Sequence, residues 1–326
     1  MRSWKRPGVL APTLADTGAG GKKRKAHIKK FNEDESIPKS FPGHWTEPDV
    51  RGVLYAMQGR VCTYCGADIS EAGIDVEHYR PKGNVVEDPD HGGYWWLAYE
   101  LTNYMLSCTI CNQRLKKDRF PLLDAAQRVR YPQRDLLGAE PKVLLDPVGE
   151  PVEAMLALDP AAILNGRIVP NPALAEPAAG RVRQTLEFFR VNRKAAQVRK
   201  RRELIKEVQK AVDEGELEKA KEYAIRYRQH SLVARLTLEE KAPGALPTPA
   251  EELRWLMGEL ASELLQKIED VDAGGGELDV REAKELAWAL AAIWKEPPAG
   301  TSAEVEQFLI ERGLAEFVKD YLDKLN

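Results

Sequence analysis

Two Cys-x-x-Cys pairs, Cys62/Cys65 and Cys108/Cys111, account for all four cysteines and constrain folding more than any other feature of the chain. Thiolates three positions apart can share one metal ion, and Gly66 after the first pair permits the tight turn of such a knuckle. Together the pairs supply a tetrahedral all-sulfur set, the donor set of a closed, structural zinc site. The alternative, two disulfides, needs an oxidising compartment. The N-terminus carries no apolar segment of the kind that directs export, so zinc is the preferred reading. The 42 residues between the pairs (66–107) exceed the gap of about 15–20 in a simple zinc ribbon. An insert that long needs structure of its own.

At 326 residues the chain has room for roughly two domains at about 150 residues each. No apolar run approaches the roughly 20 residues of a membrane helix, so a cytoplasmic protein is expected. The net charge of -3 hides an asymmetry. Residues 1–31 hold nine basic side chains (Arg2, Lys5, Arg6, Lys22, Lys23, Arg24, Lys25, Lys29 and Lys30) against Asp16 alone. The run 22–30 suits contact with a phosphate backbone, or equally a solvated tail.

Five segments are expected. Residues 1–46 form a basic, partly disordered arm, since 17–25 (TGAGGKKRK) has little to bury. Residues 47–125 form the zinc-stapled core. Within it 47–58 make a helix stopped by Gly59, and 74–79 (IDVEHY) a strand ended by Pro81. Residues 94–99 (YWWLAY) suit either a return strand or a buried helix, with Trp95 and Trp96 as core, and 111–117 a short helix. A Pro-rich covering segment spans 126–177, with a short strand at 166–169. Residues 178–240 read as a hairpin of two long helices, at 180–212 and 216–238, whose charges suggest i,i+4 pairing. After a linker at 241–247, a helical module covers 248–326. It opens on the capping box Thr248-x-x-Glu251 and is punctuated by three glycines at 274–276 and by Pro297-Pro298. The fold class is thus mainly α with a small α+β core.

The insert carries the candidate chemistry. His78 can act as general base towards water in phosphodiester hydrolysis, and Glu77 can hold a divalent cation. Neighbouring strand residues face opposite sides, so both reach one site only where the strand ends. Asn103 can orient the histidine through hydrogen bonds, and the Asn112 carbonyl can complete an oxygen shell. Arg80, Lys82 and Lys116 are candidate phosphate ligands. His91 reads as a loop residue. Each of these signals alone is weak: a lone histidine is most often structural, and a buried asparagine is usually satisfied structure.

The order CxxC, EHxRPK, YWWLAYE-x-x-N and SCxxCN-x-x-x-K resembles the HNH (ββα-metal) endonucleases, and more narrowly the PtuB nuclease subunits of Septu and retron-associated antiphage systems. The resemblance runs from Val50 to Pro121 and continues weakly at 144–147 (LLDP) and 189–193 (FRVNR). It implies a ββα-metal module with His78 as general base, Glu77 as metal-binding acid and Asn103 as the central asparagine. Asn112 stands where many HNH enzymes have a final histidine, so an HNN-like variant is implied. A paired SMC-like ATPase is also implied.

The expectation is therefore an endonuclease that cuts DNA with Mg²⁺ or Mn²⁺, in antiphage defence, beside a structural zinc. RNA cleavage and homo-oligomerisation stay open. The competing expectation is a non-catalytic zinc-stapled adaptor that binds nucleic acid.

Overall fold

The computed structural model describes every residue except Arg2, Ser3, Pro7, Ala162, Pro298 and Asn326, and leaves the side chains of Glu71 and Ala72 aside. Arg2 of the basic arm and Pro298 of the Pro-Pro break thus lie outside the described residues. In chain order the helices are α1 (Ala19–Asp34), α2 (Pro48–Gln58), α3 (Ile69–Ala72), α4 (Val152–Met155), α5 (Ala178–Phe188) and α6 (Ala195–Asp213). They continue with α7 (Leu217–Tyr223), α8 (Ser231–Lys241), α9 (Pro249–Asp272), α10 (Glu277–Lys295), α11 (Ser302–Glu311) and α12 (Ala315–Leu322). The strands are β1 (Ile74–His78), β2 (Tyr104–Cys108), β3 (Leu156–Leu158) and β4 (Ile168–Pro170). The protein is mainly helical, with two two-stranded sheets, β1–β2 and β3–β4. Among the described residues no helix is long and apolar enough to cross a membrane.

The chain forms two interleaved compact units. The first comprises 1–4, 60–95 and 106–247. It holds both cysteine pairs, β1 and the end of β2. Strand β1 stops at His78, three residues before Pro81, as the loss of a backbone donor requires. Strands β3 and β4 pair antiparallel with Leu156 opposite Pro170, and Asn192 bonds both main-chain groups of Ile168. Helices α6, α7 and α8 close over a small core that includes Val208, Ala211, Ala220, Ala234 and Leu238.

The two long helices expected at 180–212 and 216–238 are each broken. Between α5 and α6 the chain turns through Arg190 at φ 51°. There Phe189 stacks on Tyr64, ring centroids 3.9 Å apart. Between α7 and α8 it turns through His230 at φ 55°. Tertiary contacts override a helical pattern that was locally continuous. The 94–99 stretch is neither strand nor long helix: Trp95–Leu97 is one 3₁₀ turn, and the return strand is β2. Both Trp95 and Trp96 are buried.

The second unit comprises 5–59, 96–105 and 248–326. The glycine- and lysine-rich segment read as partly disordered is largely helical, as α1. Helix α10 is central, packing on α2, α9, α11 and α12. Its buried face is rich in alanine (Ala283, Ala287, Ala289, Ala291 and Ala292), which lets neighbours approach closely. Gly52 of α2 meets it: a β-carbon there would run into Trp288 Cβ and lie 2.6 Å from the Glu285 carbonyl oxygen. Arg51 and Tyr55 reach the buried Glu285 carboxylate at 3.0 and 3.2 Å. Thr248 and Glu251 form the expected capping box of α9. The span 303–325 divides into α11 and α12 at Gly313 (φ 68°).

Replacing Gly52 by alanine would ordinarily favour a helix by about 1 kcal/mol. Here the methyl group meets backbone and a β-carbon that cannot swing away, so Gly52→Ala should instead destabilise the protein by about 1–3 kcal/mol in a denaturant titration.

Candidate metal centre and neighbouring site

The sulfurs of Cys62, Cys65, Cys108 and Cys111 are buried, and all lie within 4.8 Å of one another. A tetrahedral zinc with bonds of about 2.3 Å would place its sulfurs about 3.8 Å apart. The Cys65 and Cys108 sulfurs are 3.9 Å apart. The donor set therefore fits one zinc ion. Local structure explains the convergence. The Cys62 amide donates to the Ala67 carbonyl at 2.8 Å, and the Gly66 amide to the Cys62 carbonyl at 2.9 Å, with Gly66 at φ 72°. Cys108 ends β2, and the Cys111 amide donates back to its sulfur at 3.4 Å.

Residues 110–116 form a π-helix, where a short ordinary helix was expected at 111–117. Hydrogen bonds to the fifth residue on, instead of the fourth, re-aim its side chains, a feature frequent at functional sites. The Lys117 amide bonds the Asn112 carbonyl in this way at 2.7 Å.

Glu77 and Lys116 are both buried and bound to each other, Nζ to Oε1 at 2.8 Å. Tyr64 donates to the same oxygen at 3.0 Å, and Lys116 also donates to the His78 carbonyl at 2.9 Å. Burial pushes the Glu77 carboxyl up, while the Lys116 ammonium and the Tyr64 hydroxyl oppose that rise. Lys116 is thus placed to hold the end of β1 and is withdrawn from the surface. His78 is itself buried, at the last position of β1.

Arg80 lies against the buried Glu140, Nε to Oε2 at 2.7 Å, and donates to the Leu137 carbonyl at 2.7 Å. Glu140 also accepts from Tyr94 at 2.6 Å and the Val129 amide at 3.0 Å. Lys82 is half-buried, and desolvation lowers its pKa against the opposing pull of Asp118 and Glu77. Asn112 is half-buried on the π-helix. His91, in a short 3₁₀ turn, is buried and bonds the Val129 carbonyl at 2.8 Å. Asn103 belongs to the second unit. It is buried there at the end of a 3₁₀ turn, with its amide 3.5 Å from the Leu97 carbonyl. The first unit thus brings together Glu77, His78 and Lys116 beside the sulfur cluster.

Three participants were not anticipated. Tyr64 sits inside the CTYC knuckle, where its buried neighbours could have flagged it. Glu140 carries no local signal. Lys194, the residue preceding α6, donates to the Cys111 sulfur at 3.3 Å. Four thiolates around one Zn²⁺ leave two excess negative charges, and Lys194 offsets one of them.

No family model matches the chain. The chain resembles the Septu protein PtuB of Bacillus mycoides (strain KBAB4), with 31% identity over 148 residues. That match covers 43% of this chain and 48% of the relative, so the chain spans about half of that protein's length.

Three outcomes test this geometry. Zinc measured by metal analysis should be lost with Cys62→Ser. Transfer of zinc to a chelator should be about tenfold easier or more with Lys194→Met but not with Lys194→Arg, since partners of metal ligands typically contribute 10–100-fold. Glu140→Ala, which strands the Arg80 charge, should lower unfolding free energy by about 3–5 kcal/mol.

Proposed function

We propose that this protein is a metal-dependent endonuclease that hydrolyses phosphodiester bonds in DNA, as the nuclease of an antiphage system. The observation that carries the reading is the position of His78. It terminates β1 in the unit that holds the sulfur cluster, and the order β1, β2, helix is that of a ββα-metal module. The similarity to a Septu protein supports the defence role. An SMC-like ATPase is the proposed partner.

In this reading the sulfur cluster holds zinc as a staple and takes no part in the reaction. His78 accepts a proton from the attacking water. Bound Mg²⁺ or Mn²⁺ supplies charge stabilisation at the scissile phosphate. Glu77 and the Asn112 side-chain amide oxygen are its proposed protein donors. The contacts of Glu77 with Tyr64 and Lys116 both use Oε1, which leaves Oε2 for a cation. The Lys116 charge beside it weakens that site, so cation affinity would rest largely on substrate phosphate oxygens, as is common for Mg²⁺. Lys82 is the proposed phosphate ligand, and Arg80 supports the strand end from its place on Glu140. Asn103 keeps the place of the central asparagine that the resemblance implies.

One observation favours a second reading. With Glu77 neutralised by a buried lysine, the same scaffold also suits a non-catalytic zinc-stapled adaptor that binds nucleic acid.

Plasmid cleavage with Mg²⁺ or Mn²⁺, in the presence of co-purified partner, separates the two. The nuclease reading expects cleavage that falls about 100-fold or more in His78→Ala with zinc content unchanged. Nucleic-acid binding without turnover under either metal would favour the adaptor.

A further inference from the structure

Helix α6 turns one side to the core of the first unit through Arg201, Ile205, Val208 and Ala211. The opposite side presents Arg199, Arg202 and Lys206, spaced i, i+3 and i+7, which places them in one row on the helix. All three are exposed. Among the described residues none of them makes a hydrogen bond or an ion pair, although Glu203 and Glu207 flank the row within reach of such pairs. These three charges are therefore not the paired, self-neutralised charges expected of a merely solvated helix face. Other helices of this chain do show that pattern: Lys219 pairs with Glu216 at 2.6 Å, and Lys30 with Asp34 at 2.6 Å.

The start of the row is also fixed. Lys194, one residue before α6, is bound to the Cys111 sulfur, and Asn112 follows that cysteine. Arg199 lies five residues farther on, about 7.5 Å along the helix axis. The row then runs about 10 Å to Lys206, the axial rise of about three phosphates on one DNA strand.

From this we propose that the Arg199–Arg202–Lys206 face of α6 is a sequence-independent binding surface for the phosphate backbone of duplex DNA, leading away from the zinc knuckle. The inference rests on the reading of the protein as one that acts on DNA. Arginine suits the role because its planar fork can grip phosphate oxygens in pairs.

The test uses the full-length protein with His78→Ala, so that the probe is not cut. A short fluorescent duplex is titrated by anisotropy between about 50 and 200 mM salt. Neutralising the face with Arg199→Gln, Arg202→Gln and Lys206→Gln should flatten the slope of log affinity against log salt by about 2.7, about 0.9 for each phosphate left without its cation. Two unrelated duplex sequences should bind more weakly by the same factor. Substituting Lys at Arg199 and Arg202 instead should retain the slope. A control triple on α1, Lys25→Gln, Lys29→Gln and Lys30→Gln, removes the same charge from side chains that are already ion-paired, and should leave the slope unchanged. An unchanged slope in the α6 triple, or equal flattening in both triples, overturns the inference and leaves the nuclease reading standing. No duplex binding by the unneutralised protein also overturns the inference, and the cleavage assay with the partner then decides the nuclease reading.

Discussion

Four sulfurs gathered within 4.8 Å of one another in the interior are the constraint on which the first unit depends. As thiolates they repel one another and need a cation to stay together. As zinc ligands they join segments separated by 42 residues of chain and remove the entropy of that loop. Cys108 closes β2 and Cys111 lies in the π-helix, so the metal would fix where the strand ends and the helix begins. Because β1 pairs with β2, the same staple sets the position of Glu77 and His78. Lys194 extends the constraint to α6, and the Phe189–Tyr64 stack anchors the turn between α5 and α6 to the knuckle.

Around that staple, charge has been taken inside. Lys116 neutralises Glu77, and Arg80 neutralises Glu140, each with further hydrogen bonds from neighbouring groups. Buried pairs of this kind add little net stability, yet breaking one is costly. Their effect is to hold the end of β1 in one arrangement. The second unit solves a different problem by plain packing. Its alanine-lined α10 and the single hydrogen at Gly52 allow close helix contact, and Glu285 is balanced by Arg51 and Tyr55.

Much of this was legible from local pattern. The cysteine spacing announced one sulfur cluster. The helix at 47–58 with its glycine stop, the strand before Pro81 and the capping box at Thr248 each rest on a few adjacent residues, and each formed as expected. The breaks at Arg190 and His230 were not legible, because both interrupt a continuous helical pattern. What interrupts it is supplied from elsewhere: the Tyr64 ring at one turn and the Gly66 carbonyl, which accepts from the His230 amide, at the other. The single 3₁₀ turn at Trp95–Leu97 was hidden for the same reason, since an aromatic run is equally suited to any buried state.

By itself the amino-acid order determined the metal donor set, the position of the candidate base at a strand end and the unequal spread of positive charge. These depend on residue type and on spacing along the chain. Only the tertiary structure decided which charges face one another. The sequence permits Lys116 and Arg80 to reach a phosphate or to lie buried, because a long cationic side chain suits both. Their pairing with buried carboxylates, one of them 60 residues distant, is visible only in the fold.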